Sequence, residues 1–336
     1  MVYDCFTFFN ELDLLEIRLN TLKDVVDRFV IAEATRTHAG RPKELTFEKN
    51  RKRFAEFSSK IEYVVVDNLL PENEVLKDNY NLPWVNENRQ RNALINGIKD
   101  AHDDDIVLLS DLDEIPRPQS VMKAAKDLEN GASSVRLELI SYNFYINYKN
   151  YTCPKWLMGT VAAKYGDLIG GEMLSGVKYD RYTQRSENQG VALHKLRFVN
   201  PDIVLYNAGW HFSFLGGIDA IQKKLVAFSH SEFANVPREM LEARMRKGCD
   251  LFGRNGKFFG VPIDASFPEF VVENQMRFRE LIFPVDEEYM RRTKLARMAA
   301  RTRGVLYRLV VMMIPNRLAL VLVKARDSVM KKFGRI

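Results

Sequence analysis

The sequence predicts an α/β protein built on a mostly parallel sheet flanked by helices, and three observations carry that prediction. Short apolar, β-rich runs alternate with longer segments of helical periodicity from Val2 to Leu109. The runs are continuously apolar instead of alternating, as strands covered on both faces are. The chain, 336 residues with 46% hydrophobic and 28% charged, can bury such a core, and its composition excludes wholesale disorder.

Each element follows from its own pattern. Val2 to Phe8 reads as the first strand, and Leu12 to Leu22 as a helix because Leu12, Leu15, Leu19 and Leu22 share one face. Arg28 to Ala34 is the second strand, Phe47 to Phe57 a charged surface helix, and Ile61 to Val66 the third strand. A polar loop closed by Leu82-Pro83 leads to a helix over Asn86 to Ala101 and a fourth strand over Ile106 to Leu109. In doubly wound sheets ligands gather outside the carboxyl ends of the strands, so the positions just after Phe8, Ala34, Val66 and Leu109 are where a site is expected. The second half is less regular. Val135 to Tyr148 is an aromatic-rich β segment, Val191 to Phe198 and Ile203 to Phe214 read as strands, and Ile218 to Ser229 as a helix. The composition turns basic near Pro284, which assigns residues 1–285 to one main domain and 286–336 to a basic helical extension.

Charge and cysteines narrow the functional classes. From Met290 to Ile336 there are thirteen Lys or Arg and one acid, a local charge of +12 that leaves −6 for the rest of a chain whose net charge is +6. The basic character therefore points to a local anionic partner of the tail and says nothing of the main domain. Cys5, Cys153 and Cys249 are odd in number and lack C-x-x-C spacing, which suggests neither a disulfide framework nor a cysteine zinc site and fits a reducing compartment. No basic segment followed by an apolar stretch opens the sequence, and no apolar span reaches about 18 residues, so a classical signal and an N-terminal anchor are not expected. A cytoplasmic protein, peripheral on the inner face of the membrane, is the expectation.

The strongest local signal is Asp105-Ile106-Val107-Leu108-Leu109-Ser110-Asp111-Leu112-Asp113-Glu114-Ile115-Pro116, an apolar strand that delivers three carboxylates onto the following loop. Mg2+ and Mn2+ prefer oxygen ligands and usually take one or two carboxylates plus substrate phosphates, which Asp111 and Asp113 can supply. A turn or helix cap before Pro116 is the competing reading. Asp103 and Asp105 share the spacing but precede the strand, at the opposite edge of the sheet, and read as a solvated turn.

The runs from Tyr3-Asp4-Cys5-Phe6 to Glu16-Ile17-Arg18-Leu19, Val30-Ile31-Ala32-Glu33-Ala34-Thr35-Arg36-Thr37-His38, Gln90-Arg91-Asn92, Ser110-Asp111-Leu112-Asp113-Glu114-Ile115-Pro116 and Gly209-Trp210-His211-Phe212-Ser213-Phe214-Leu215-Gly216-Gly217 together resemble glycosyltransferase family 17. They fall in order over roughly residues 1–240. The resemblance implies a GT-A-like, Rossmann-like fold and an inverting N-acetylglucosaminyl transfer from UDP-N-acetylglucosamine; the acidic turn adds Mn2+ or Mg2+ as the expected cofactor, and a glycan or lipid-linked glycan is the expected acceptor.

On that reading Asp113 is the direct metal ligand, Asp111 binds the metal through water or holds the ribose, and Glu114 orients the loop or touches the acceptor. His211 would complete the metal site as a neutral imidazole, with a buried structural histidine as the open alternative. Asn10, Glu11 and Glu33 stand where uracil and ribose would lie, although Glu11 also suits the first turn of a helix. Arg91 could meet a diphosphate oxygen or pair with Glu87 at i−4. Gly216-Gly217 would admit close approach of a phosphate, or form a simple turn. An inverting transfer needs a general base, for which Glu138, Glu172, Asp180 and Glu232 all stay open. Tyr142-Asn143-Phe144-Tyr145 with Trp156 reads either as a sugar-stacking platform or as a core strand.

In the tail, Leu306 to Ile314 and Leu318 to Val323 are apolar runs separated by Pro315 and flanked by Arg and Lys. A pair of basic amphipathic helices on an anionic membrane surface is one reading, and a packed hairpin with a solvated basic face is the other. The apolar runs speak against nucleic acid. Two rival functions remain: a haloacid dehalogenase-type phosphotransferase, disfavoured because the acidic motif follows the fourth strand and not the first, and a glycan-binding scaffold on a degenerate transferase fold.

Overall fold

The computed structural model describes residues 1–76, 81–170, 172–175, 192–230 and 233–313. The first half contains β1 (Val2–Phe8), α1 (Leu12–Leu22), β2 (Arg28–Ala34), α2 (Thr46–Asn50), β3 (Ile61–Val66), α3 (Leu82–Ala93) and β4 (Ile106–Asp111). The second half contains β5 (Glu114–Pro116), α4 (Pro118–Glu129), β6 (Ser134–Leu137), β7 (Leu139–Asn143), β8 (Tyr148–Asn150), β9 (Lys155–Trp156), β10 (Val161–Lys164), α5 (Tyr165–Ile169), α6 (Glu172–Ser175), β11 (Ile203–Leu205) and β12 (Gly209–Ser213). These lead to α7 (Gly217–Ala227), α8 (Arg238–Arg246), β13 (Phe258–Gly260), α9 (Glu269–Glu273) and α10 (Glu287–Met313).

Seven strands form the main sheet in the order β11-β6-β10-β4-β1-β2-β3. All run the same way except β10, which is antiparallel to both β4 and β6. The α/β reading with a mostly parallel, helix-flanked sheet therefore holds. Phe6, Phe8, Phe29, Ile31, Ile106 and Leu108 lie on one face of the sheet with α1, and Cys5, Val30, Ala32, Val107 and Leu109 on the other with Leu94, Leu193 and Leu196. Burying each large side chain of this kind stabilises the fold by about 1.5–3 kcal/mol, which is why these strands could not have been half polar. A smaller sheet, β13-β8-β7-β12-β5 with β9 beside β7, stands next to the first.

The chain passes from the main sheet to the small one three times, at Leu112-Asp113 between β4 and β5, at Glu138 between β6 and β7, and at Tyr206-Asn207-Ala208 between β11 and β12. The first crossing coincides with the switch in strand order, where β2 and β3 lie to one side of β1 and β4 to the other. Crevices at such switch points are where doubly wound folds bind ligands.

Several boundaries differ from expectation. The helix expected over Asn86–Ala101 begins at Leu82 and ends at Ala93, because Pro83 suits its first turn and the chain tightens to a 3₁₀ turn over Leu94–Gly97. The expected surface helix is α2 followed by a 3₁₀ stretch, Arg51–Phe57. Val135–Tyr148 and Ile203–Phe214 are each broken and shared between the two sheets. The strand expected over Val191–Phe198 is a 3₁₀ helix, Leu193–Phe198, whose Leu193 and Leu196 face the core at a spacing of three. Of the tail, α10 reaches Met313, and Ile314, Pro315 and the run Leu318–Val323 lie outside the described residues.

Candidate active site

The site is assembled where β1 and β4 end together, with Thr7 in register with Asp111. Asp111 closes β4, Leu112 is buried in the core, Asp113 forms the turn, and Glu114 opens β5 opposite His211 of β12. The Phe212 N–H donates to the Asp113 carbonyl at 2.8 Å, so β12 fixes the turn from the second sheet.

A second clamp comes from α1. Arg18 is wholly buried beneath the acidic turn, 4.4 Å over the Phe6 ring. Its Nη1 donates to the carbonyls of Asp111 (2.9 Å), Leu112 (3.1 Å) and Glu114 (2.9 Å), and its Nη2 to Ser110 Oγ at 2.5 Å. Nε and Nη2 also reach the Asp4 carboxylate at 2.7 and 2.6 Å. The guanidinium thus holds the turn by its backbone and leaves the turn's side chains free for other partners.

Those partners are largely cationic. Asp111 Oδ1 accepts from Arg91 Nη2 at 2.6 Å, and its Oδ2 lies 3.3 Å from Arg197 Nη1. Burial pushes the Asp111 carboxyl up, but Arg197 and Arg91 outweigh it and hold the group well below the usual carboxylate range. Arg91 also donates to Glu87 Oε1 at 2.8 Å, so it makes both the expected i−4 pair and a contact with the acidic turn. Glu114 is fully buried and occupied: Arg197 donates to both oxygens at 2.9 Å, Trp156 Nε1 to Oε1 at 2.7 Å, and the Asp111 N–H to Oε2 at 2.9 Å. It orients the loop and is sealed from an acceptor.

Asp113 stands apart from the arginines. Its Oδ2 accepts from Lys224 Nζ at 2.9 Å, and the same ammonium lies 3.1 Å from Glu11 Oε1. Burial lowers the Lys224 pKa, but Asp113 and Glu11 more than restore it and hold the ammonium charged. Asp113 Oδ1 faces His211 Nε2 at 3.7 Å, too far for a hydrogen bond. The His211 ring stacks on Trp156 with centroids 4.3 Å apart, and its buried Nδ1 has no hydrogen-bond partner among the described residues.

Among the described residues no group of three or more His, Cys, Asp or Glu side chains could hold a metal by itself. In this arrangement Arg91 and Arg197 occupy the oxygens of Asp111. Asp113 Oδ1 and His211 Nε2 remain as a facing oxygen and nitrogen, which fit a Mg2+- or Mn2+-type site completed by substrate phosphates. Charge points the same way. Among the described residues the ion-pair network joins five carboxylates, Glu11, Glu87, Asp111, Asp113 and Glu114, to three cations, Arg91, Arg197 and Lys224, which leaves two formal negative charges in excess.

Other expected residues lie elsewhere. Asn10 is exposed just after β1, beside Glu11. Glu33 is a correction: it is fully buried, accepting the N–H groups of Thr46 (2.5 Å) and Phe47 (3.0 Å), Lys43 Nζ (2.8 Å) and Tyr63 Oη (2.9 Å), so it caps α2 and cannot touch a ribose. Asp105 is buried and accepts the His102 N–H at 2.8 Å, while Asp103 stays in an exposed turn. Glu138 is buried against Lys155 Nζ at 2.9 Å. Tyr142 and Phe144 are core side chains and no platform, whereas Trp156 joins the site through His211 and Glu114. Gly216 and Gly217 both have positive φ, 90° and 78°, in the turn that opens α7. Asp180 and Glu232 lie outside the described residues, as does the side chain of Glu172.

Sequence reasoning missed Arg18, Arg197 and Lys224. Arg18 carried a signal, since it sits three residues after Leu15 and four before Leu22, on the face that α1 buries. Arg197 was hidden by reading its segment as a strand. Gln90-Arg91-Asn92 proves to be three anchors in a row. Gln90 donates to the Ala32 carbonyl (2.8 Å) and meets His38 Nε2 (2.8 Å), Arg91 holds Asp111, and Asn92 Oδ1 accepts the His194 N–H at 2.9 Å.

The family profile described as glycosyltransferase family 17 matches residues 1–165. The β-1,4-mannosyl-glycoprotein 4-β-N-acetylglucosaminyltransferase of Homo sapiens is 24% identical over 319 residues, covering 88% of this chain and 57% of that protein. The enzyme of the same name from Rattus norvegicus is 24% identical over 297 residues, covering 81% and 53%. The chain thus spans somewhat over half the length of these relatives. Among solved structures, 4-diphosphocytidyl-2C-methyl-D-erythritol synthase from Anaerococcus prevotii aligns with a TM-score of 0.33 at 13% identity over 61% of this chain and 86% of that one. A putative nucleotide-diphospho-sugar transferase from Desulfovibrio desulfuricans aligns with a TM-score of 0.31 at 10% identity over 73% and 95%. The resemblance to glycosyltransferase family 17 is shown over residues 1–165, the stretch that carries β1 to β4, Arg18, Arg91 and the acidic turn.

Proposed function

We propose that this protein transfers N-acetylglucosamine from UDP-N-acetylglucosamine to a glycan hydroxyl, lipid-linked or not, with inversion and with a divalent cation as cofactor. The observation that carries the reading is Asp113 facing His211 at 3.7 Å at the switch point of the sheet, inside a network that among the described residues has two formal negative charges in excess. The relatives, β-1,4-mannosyl-glycoprotein 4-β-N-acetylglucosaminyltransferases by name, suggest the sugar and the acceptor class.

Asp113 and His211 would hold the cation, which when bound neutralises charge developing on the departing diphosphate. Arg91 and Arg197 fix Asp111 at the strand end, where it can order the shell around the site without being a ligand. Lys224 is a fixed positive charge beside Asp113, and it is placed to share its charge with a phosphate oxygen. Stabilisation of this kind is strong because Glu114, Trp156 and Arg18 are already packed and need not reorganise as charge develops.

Incubation with Mn2+ and UDP-N-acetylglucosamine is expected to release UDP slowly, and a chelator is expected to stop the release. UDP release indifferent to metal, or none together with no metal-linked UDP binding, would overturn the reading.

A further inference from the structure

We propose that the outward face of α10 docks on an anionic membrane surface. The inward face of this helix is fixed to the protein. Gly304 lies so close to the body that a Cβ there would stand 2.0 Å from the Thr152 carbonyl oxygen, Ala300 is buried, and the Tyr289 hydroxyl accepts the Gly260 N–H at 3.0 Å. The opposite face carries Leu295, Met298, Leu306 and Leu309, exposed by 78%, 58%, 57% and 46%. At helical spacing these four fall within an arc of about 80°, roughly opposite the Ala300–Gly304 contact. Arg291 and Thr302 share that arc.

Exposed cations border the apolar stripe on both sides, Arg292 and Arg303 along one edge and Lys294 and Arg301 along the other. Between Met290 and Val310 there are seven Arg or Lys and no acid. This double complementarity selects the occupant. An anionic leaflet accepts an apolar stripe at the acyl boundary and two cationic rows among its headgroups, whereas a nucleic acid would meet the rows and leave the stripe in water. Among the described residues no helix is long and apolar enough to cross a membrane, so α10 would lie along the surface. The proposal stands independently of the transferase reading, because none of these residues belongs to the site.

The test is co-sedimentation of the full chain with vesicles of phosphatidylcholine alone and of equal parts phosphatidylcholine and phosphatidylglycerol. Binding is expected to the mixed vesicles only, and Leu295→Asp with Leu306→Asp is expected to weaken it by about tenfold or more. Circular dichroism checks that the variant keeps its helix content, and Arg292→Gln with Arg303→Gln, expected to weaken binding at least about fivefold, is the second variant. No binding to the mixed vesicles, equal binding to neutral ones, retention by the leucine variant, or binding to RNA but not to vesicles would each overturn the proposal.

Discussion

Arg18 and Asp113 are charges put to opposite uses. Arg18 is buried with every arm engaged, and replacing it by Met would leave Asp4, itself fully buried, as an unpaired charge beneath the turn. Arg18→Met is therefore expected to cost about 3–5 kcal/mol, read from the urea midpoint, and a loss below about 1 kcal/mol would contradict the clamp. A pH dependence belongs to the same scale. Burial, then Arg91 and Lys195, push the His194 imidazole down to about 3, and burial pushes His38 down as well. The folded state therefore binds fewer protons than the unfolded chain, whose histidines titrate near 6.5. Stability from these groups is complete above about pH 6.5 and falls as pH drops toward about 3, by up to roughly 4 kcal/mol for His194. Asp111, depressed below 3.8, adds its loss only at still lower pH, so a decline that begins near pH 6 belongs to the histidines. Melting His194→Gln across this range is expected to show a flatter acid limb, and an unchanged slope would remove the assignment.

At the scale of elements, legibility followed burial. β1, α1, β2 and β3 end where their apolar patterns end, because each is covered on a face that the pattern records. What failed depended on distant partners. Leu193 and Leu196 look like strand residues until the sheet they pack on is known, and the error hid Arg197, which holds both Asp111 and Glu114. Lys224 sat on a helix that was read almost correctly, but only the packing of α7 tells which side meets Asp113. Glu33 looked like a site residue because it ends a strand, and its true partners are the first N–H groups of α2. α4 was overlooked although Pro118 at its first turn, with Val121, Ala124 and Leu128 buried, carries an ordinary helix signal. For α10 the contact at Gly304 can be tested alone. Gly304→Val should force the helix from Thr152, costing about 1–3 kcal/mol and raising amide exchange around 300–304. Unchanged exchange and stability would show that α10 does not depend on that contact.

At the scale of the whole molecule, the acidic turn is one of the places where the chain passes from the main sheet to the small one. The main sheet brings the ends of β1 and β4 together, and the small sheet brings His211 to the turn from more than ninety residues downstream. The acidic motif and the possible partnership of His211 were visible in the sequence, but its cationic surroundings were not, since Arg18, Arg91, Arg197 and Lys224 come from four separate segments. Two of those cations take up the oxygens of Asp111, which leaves Asp113 as the decisive group. The most direct test is calorimetric titration of UDP into the wild type and Asp113→Ala, each with Mn2+ and with a chelator. UDP affinity is expected to rise with Mn2+ in the wild type by about a hundredfold and to lose that dependence in the variant. Equal Mn2+ dependence in both proteins would contradict the assignment of Asp113.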